Sequence, residues 1–303
     1  MIEIRRILCP TDLSDVSRCA FDHATALARH YGSEIRVVHV VEPFRAISGG
    51  GLPYPSWTTL NPEARERLEA ALCAMTEPAA SSGLHVEEEI LEGVAVHEIL
   101  TEARSLPADM LVMGTHGRGG FERFLLGSVT EKVMRHAPCP VFTVPPPAGE
   151  PPPGGTPAYD RILCPLDFSA ASDHALRYAL SLAQEAGSEL VVLHVLEWPV
   201  EGPPAVLPSW FDRGEHQRRL DEDARQRLRE AVPEDAQAWC RVEQVVAQGK
   251  AWREIVRVAN EKRSELVVMG VRGRSAVDLA LFGSTAQHVV RAAGCPVMVV
   301  HTD

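Results

Sequence analysis

Two stretches of this chain have the residue types and spacing to seat a phosphate group. The first runs Met113-Gly114-Thr115-His116-Gly117-Arg118-Gly119-Gly120 and continues to Gly127-Ser128-Val129. The second runs Met269-Gly270-Val271-Arg272-Gly273-Arg274 and continues to Gly283-Ser284-Thr285. Both satisfy Gly-x2-Gly-x9-Gly-Ser. Glycine lets a backbone turn through positive φ and approach a ligand with no Cβ in the way, which bares N–H groups to phosphate oxygens. The closing Gly-Ser opens a helix, whose first turn carries unpaired donors and a partial positive charge. Ser128 and Ser284 supply a hydroxyl that either caps that helix or bonds a phosphate oxygen, and Arg118 and Arg274 add charge.

A carboxylate recurs at a second pair of positions. Pro10-Thr11-Asp12 and Pro165-Leu166-Asp167 each end a short apolar run. Asp12 and Asp167 can accept from ribose hydroxyls or an amino group, ligate a magnesium ion held by phosphates, or cap the following helix; Ser14 and Ser169 are rival caps. The backbone of Val40-Val41 and Val195-Leu196 can face an adenine edge.

These groups recur because the chain is written twice. Arg6 to Ser14 returns as Arg161 to Ser169 with seven of nine positions identical, and His39, Gly93, Glu98, Gly114 and Cys139 return at offsets of 155 or 156. Between the copies, Pro145 to Pro157 holds seven of the 23 prolines and reads as an extended linker. Two domains are expected, 1–144 and 158–303, joined by 145–157.

Within each copy, β-branched runs alternate with segments of helical period, as in βαβ units. Strands are expected near Arg6–Cys9, Ile35–Val41, Val86–Leu91, Met110–Met113 and Val141–Val144. In the second copy they fall near Arg161–Cys164, Leu190–Leu196, Val242–Ala247, Leu266–Met269 and Val297–Val300. Helices fill the gaps: one capped by Ser14 and stopped by Gly32, others starting near Pro62, near Val94 to Val96, and after Gly127. The fold class is α/β, two tandem doubly wound domains, each with a five-stranded, mainly parallel sheet of order 3-2-1-4-5 and about four helices. Ligands of such sheets bind beyond the carboxyl ends of the strands, where the strand order reverses.

With 41 acidic and 30 basic side chains, the net charge of −11 argues against nucleic acid or anionic lipid as partner. No apolar run reaches membrane-spanning length. Seven cysteines, odd in number and without Cys-x-x-Cys, suggest a reducing cytoplasm. Cys139 and Cys295 read as buried small hydrophobes, His39 and His194 as core or sheet-face residues, and Glu87-Glu88-Glu89 as a solvated face. His-Glu-x-x-His and Cys/His clusters are absent from the sequence, so no metal site is expected. The triplets Pro55-Ser56-Trp57 and Pro208-Ser209-Trp210, and the run Ser48 to Gly51, either fold over a ligand or pack on the next helix.

The glycine-serine loops, the Pro-x-Asp pair and the Cys-Pro-Val at Cys139 and Cys295 together resemble the universal stress protein family, nucleotide-binding subclass, over nearly the whole chain. The resemblance implies ATP binding, with contacts carried onto Asp12, Val41, Gly114, Gly117, Gly127 and Ser128, and onto Asp167, Leu196, Gly270, Gly273, Gly283 and Ser284. It also implies pairing of fifth strands, here Val141–Val144 with Val297–Val300 within one chain, besides a further homodimer. Nucleotide occupancy is expected to govern conformation or partner choice, the protein partners being unidentified. A weak ATPase or self-phosphorylating enzyme, prompted by Asp12 and Asp167 beside a phosphate seat, and a scaffold with degenerate pockets are the other readings. A shared catalytic histidine is not expected, because Arg272 stands where the first copy has His116.

Overall fold

Arg6-Ile7-Leu8-Cys9-Pro10 offers apolar side chains to both faces of a sheet, so it must lie in the middle of one. In the computed structural model it does: β1 (Arg6–Pro10) lies between β2 (Glu34–Val41) and β4 (Met110–Gly114), with Ile7 opposite Ile35 on one side and Met110 on the other. The described residues are 2–42, 60–117, 126–146, 159–197, 213–271 and 283–301. The linker from Pro147 to Pro157, Ser48 to Gly51, both Pro-Ser-Trp triplets, Arg118 and Arg272 to Arg274 fall outside them.

The chain divides into two compact units, Glu3–Pro157 and Ala158–Asp303, the latter with Met1–Ile2. In the first, β3 (Val86–Glu92) and β5 (Val141–Val144) complete a parallel sheet of order β3-β2-β1-β4-β5. In the second, β6 (Arg161–Pro165), β7 (Glu189–Leu196), β8 (Arg241–Gln248), β9 (Leu266–Gly270) and β10 (Val297–Val300) repeat it as β8-β7-β6-β9-β10. The α/β class and the tandem arrangement thus follow the sequence expectation.

Helix α1 (Asp15–Tyr31) starts where the Ser14 hydroxyl accepts from Ser17 N–H, and ends at Gly32, whose φ of 66° needs no Cβ penalty. Its buried face, including Ala20, Ala24 and Leu27, packs on the sheet. The other first-domain helices are α2 (Pro62–Ser81), capped by Asn61, α3 (Ala95–Ser105) and α4 (Ser128–His136). The second domain has α5 (Ala170–Ala186), α6 (Arg213–Ala231), α8 (Ala251–Glu261) and α9 (Ser284–Ala292), plus a single turn, α7 (Ala236–Trp239), which the sequence reading did not anticipate. That extra turn follows Pro233, whose carbonyl accepts from Ala236 N–H at 3.0 Å. Phe142, Leu8, Ile35 and Leu111 are among the fully buried side chains of the first core, and Ile162, Leu163 and Leu190 of the second. Each contributes about 1.5–3 kcal/mol by leaving water.

The outer strand β3 carries Glu87, Glu88, Glu89 and Glu92. Arg36 on β2 tethers it by pairing with Glu87, with Glu89 at 3.6 Å and with Glu102 of α3 at 2.7 Å. Among the described residues, no helix is long and apolar enough to cross a membrane. All seven cysteines are free thiols. Burial pushes Cys9, Cys139 and Cys295 up to about 12, which removes the thiolate that nucleophilic chemistry needs. Iodoacetamide labelling at pH 8 should therefore modify the exposed Cys73 first and leave Cys9 and Cys139 untouched until the domain unfolds; early labelling of either would contradict the packing.

Candidate functional site

The turn from β1 into α1 sets the first carboxylate. Leu13 sits at φ 62°, a left-handed conformation that costs a non-glycine residue about 1–3 kcal/mol and persists only where its surroundings impose it. Leu13 N–H donates to the Thr11 hydroxyl at 3.0 Å. Asp12 Oδ1 accepts from Ser14 N–H at 3.1 Å and from the Ser14 hydroxyl at 2.6 Å. Ser14, not Asp12, is the helix cap, so the carboxylate straps the turn. The second domain repeats this: Phe168 is at φ 60°, and Asp167 Oδ1 accepts from Ser169 N–H and its hydroxyl at 3.1 and 2.6 Å. The repeated histidines have a task here too. His39 Nδ1 lies 2.8 Å from the Thr11 carbonyl and His194 Nδ1 2.7 Å from that of Leu166; since a carbonyl only accepts, Nδ1 carries the proton.

The glycines act differently from the expectation. Gly114, Gly117 and Gly127 do not use positive φ, and Gly127 caps α4 at φ −58°. Gly114 is small because α1 presses on it: a Cβ there would stand 2.8 Å from Val16 Cγ1. At Gly270 a Cβ would meet the backbone of Ala171 at 2.8 Å. A Cβ on Gly117 would stand 2.5 Å from Asp12 Oδ2, so this glycine leaves room for the carboxylate itself. Gly127 N–H donates to the Thr115 carbonyl at 2.8 Å and the Thr130 hydroxyl to the Gly114 carbonyl at 2.9 Å, which locks the start of α4 to the end of β4.

All four helices of the first domain begin at this end of the sheet, and their first turns are satisfied differently; α2 has Asn61. α1 has Ser14. The first N–H of α3, on Ala95, donates to Glu42 Oε1 at 3.2 Å, and in the second domain Ala251 N–H donates to Glu197 Oε1 at 2.7 Å. Among the described residues no side chain caps α4 or α9, which begin at Gly127 and Gly283. The N–H groups of Ser128, Val129 and Thr130 have no intrahelical acceptors, as in the first turn of any helix. Ser128 is the first residue of α4 and Gly127 its cap.

These pieces enclose a cavity of about 450 Å³, within the range of small-molecule sites. Pro10, Thr11 and Asp12 form one wall; Met113, Gly114 and Gly117 lie at or just past the end of β4; Gly127, Ser128 and Val129 line it at the start of α4. Ser17, Val38, Ile99 and Thr130, which the sequence reading did not single out, also line it. Val41 does not; Val40 does. Alternate residues of a parallel strand bond opposite neighbours. The Val38 carbonyl accepts from Thr11 N–H on the β1 side, whereas that of Val41 accepts from Gly93 N–H toward β3. By the same alternation Val40 faces the β1 side, where β1 has already turned away.

His116 is buried on the cavity wall and shares a hydrogen bond with the Thr115 hydroxyl at 2.9 Å. Among the described lining residues Asp12 is the only carboxylate. Among the described residues, no group of three or more His, Cys, Asp or Glu side chains is placed to hold a metal ion. In the second domain, Pro165, Leu166, Asp167, Met269, Gly270, Gly283, Ser284 and Thr285 occupy the matching ends of β6, β9 and α9. The Leu196 carbonyl accepts from Gly249 N–H at 3.1 Å, as Val41 does from Gly93. Gly273 and Arg274 lie outside the described residues.

The sequence profile of the universal stress protein family matches residues 3–145 and again 158–301. A universal stress protein of Mycolicibacterium smegmatis is 31% identical over 301 residues, covering 97% of this chain and 96% of that one. Another, from Methanocaldococcus jannaschii, is 38% identical over 148 residues, which is 48% of this chain and 85% of the relative. The crystal structure of a universal stress protein from Archaeoglobus fulgidus superposes with a TM-score of 0.66 at 24% identity, covering 98% of this chain and 96% of that one, a likeness of fold.

Proposed function

The chain belongs to the universal stress protein family in both of its halves, and on that footing we propose that it binds an adenine nucleotide, ATP in the first instance, whose occupancy sets conformation or partner choice in a stress response. The observation that carries this is the uncapped start of α4, opening on a cavity whose far wall is apolar and whose near wall holds one carboxylate. Phosphates take the N–H groups of Ser128 to Thr130, where the helix field favours negative charge. Asp12 accepts from the ribose hydroxyls or holds a magnesium ion brought by the phosphates. The base lies between Val38, Val40 and Ile99, with the N–H and C=O of Val40 serving N1 and N6 of adenine. A guanine would set its 2-amino group against that apolar wall, an unmet donor worth about 1–3 kcal/mol. The second domain repeats the uncapped seat at Gly283 and the strapped carboxylate at Asp167, and is read in the same way.

Calorimetry on the full chain tests this. ATP is expected to bind with GTP at least about tenfold weaker. Gly117→Ala should weaken ATP binding at the first site by about tenfold with little loss of stability, because the new methyl displaces the end of the Asp12 side chain and, among the described residues, meets no backbone within 4 Å. No measurable affinity for ATP, or an affinity untouched by Gly117→Ala, would refute the reading.

A further inference from the structure

The two carboxylate turns have the same backbone but different backing. In the second domain the ring of Phe168 lies against His194, with centroids 4.5 Å apart and planes inclined by 35°. On the same ring, the guanidinium carbon of Arg227 stands 3.9 Å from the centroid. His194 also donates to the Leu166 carbonyl. One histidine therefore grips both flanks of Asp167, the carbonyl before it and the ring after it, and Arg227 of α6 adds a second contact to that ring. A guanidinium over an aromatic face is attracted by the ring's charge distribution as well as by contact.

The first domain has no such stack among its described residues. Leu13 stands in place of Phe168. On α2 the buried Met75 is the residue that reaches the first domain's turn. The Thr11 hydroxyl of that turn donates to the Met75 sulfur at 3.8 Å, with no cation over an aromatic ring there among the described residues.

The left-handed φ of Phe168 links these contacts to ligand binding. Its relaxation toward an ordinary region would rotate the peptide between Asp167 and Ser169 and pull the Ser169 N–H from Asp167 Oδ1. A ring held by two partners, His194 and Arg227, resists that rotation. We infer that Arg227 is a positioning residue of the second nucleotide site, which through the Phe168 ring holds the Asp167 carboxylate ready for ligand. The inference rests on the nucleotide reading given above.

The test uses the full chain carrying Ser128→Glu in the first seat, so that calorimetry reads the second site alone. Arg227→Met removes the cation and keeps a long unbranched side chain, Arg227→Lys keeps a cation, and Phe168→Leu removes the ring. Met and Leu are each expected to lower ATP affinity about five- to tenfold with the melting temperature unchanged, while Lys stays within about twofold of the parent. Without nucleotide, hydrogen exchange at the Ser169 amide should quicken about tenfold in the Met variant, with the β6 amides unaffected. An unchanged Ser169 amide overturns the clamp whatever the nucleotide does. Faster exchange across β6 as well overturns it in favour of general stability. Faster exchange at Ser169 alone, in a protein whose second site takes no ATP in any version, overturns the nucleotide reading of that site and with it the assignment.

Discussion

Ser128→Glu should cost the first site about 100-fold in ATP affinity while leaving the melting temperature unchanged or slightly higher. Ser128 is exposed at the first position of α4, so a longer side chain fits without repacking. A carboxylate in the first turn of a helix is favourable by about 0.3–1 kcal/mol, so the fold does not suffer. The same charge occupies the phosphate seat and repels the incoming triphosphate, and a 100-fold loss corresponds to about 2.7 kcal/mol, an ordinary size for like charges brought together. Ser128→Gln has nearly the same bulk without the charge and should lose far less. Equal losses for Glu and Gln would show that bulk, not charge, decides, and would remove the anion seat from α4.

The second large effect is on the fold. Gly270→Ala is expected to destabilise the second domain by about 3 kcal/mol, or roughly 6–12 °C for a domain of this size. The added methyl would stand 2.8 Å from the carbonyl carbon and oxygen of Ala171 and 2.9 Å from its Cβ, and backbone at the start of α5 cannot swing aside. Gly114→Ala is the control. There the closest atom is the Val16 side chain at 2.8 Å, with backbone no nearer than 3.3 Å, so a rotamer change relieves much of the clash and the cost should be clearly smaller. Calorimetric unfolding of both variants checks the order. Equal costs would mean that helix and strand adjust more freely than the contacts imply.

Much of this architecture was legible before any coordinates. The duplication, the Pro-rich interval and the alternation of β-branched and helical segments indicate two doubly wound domains, because each is a local or self-referential signal. β5 and β10 fall where their β-branched runs put them, and Ser14 and Gly32 cap α1 as their residue types require. Three features were not legible, each for a physical reason. The left-handed turns at Leu13 and Phe168 have no glycine to announce them, and the side chains that strap them, Asp12 to Ser14 and Asp167 to Ser169, are residue types that also serve as helix caps. The choice of Val40 over Val41 depends on which neighbour each peptide of β2 bonds, a matter of sheet register beyond the reach of a single strand's sequence. The carboxylates of Glu42 and Glu197 cap helices 53 and 54 residues further along the chain, a separation at which side-chain pattern carries no signal.

The four glutamates of β3 bear on how the protein behaves at high concentration. The rim of a sheet offers unpaired peptide groups to any extended chain that drifts against it, and mutual repulsion among carboxylates turns such chains away. Dense salt or acid would disarm that defence. The corresponding rim at β8 bears a single arginine and a single glutamate, Arg241 and Glu243, and so lacks even this guard. Ordered aggregation of crowded protein should consequently begin along the second half.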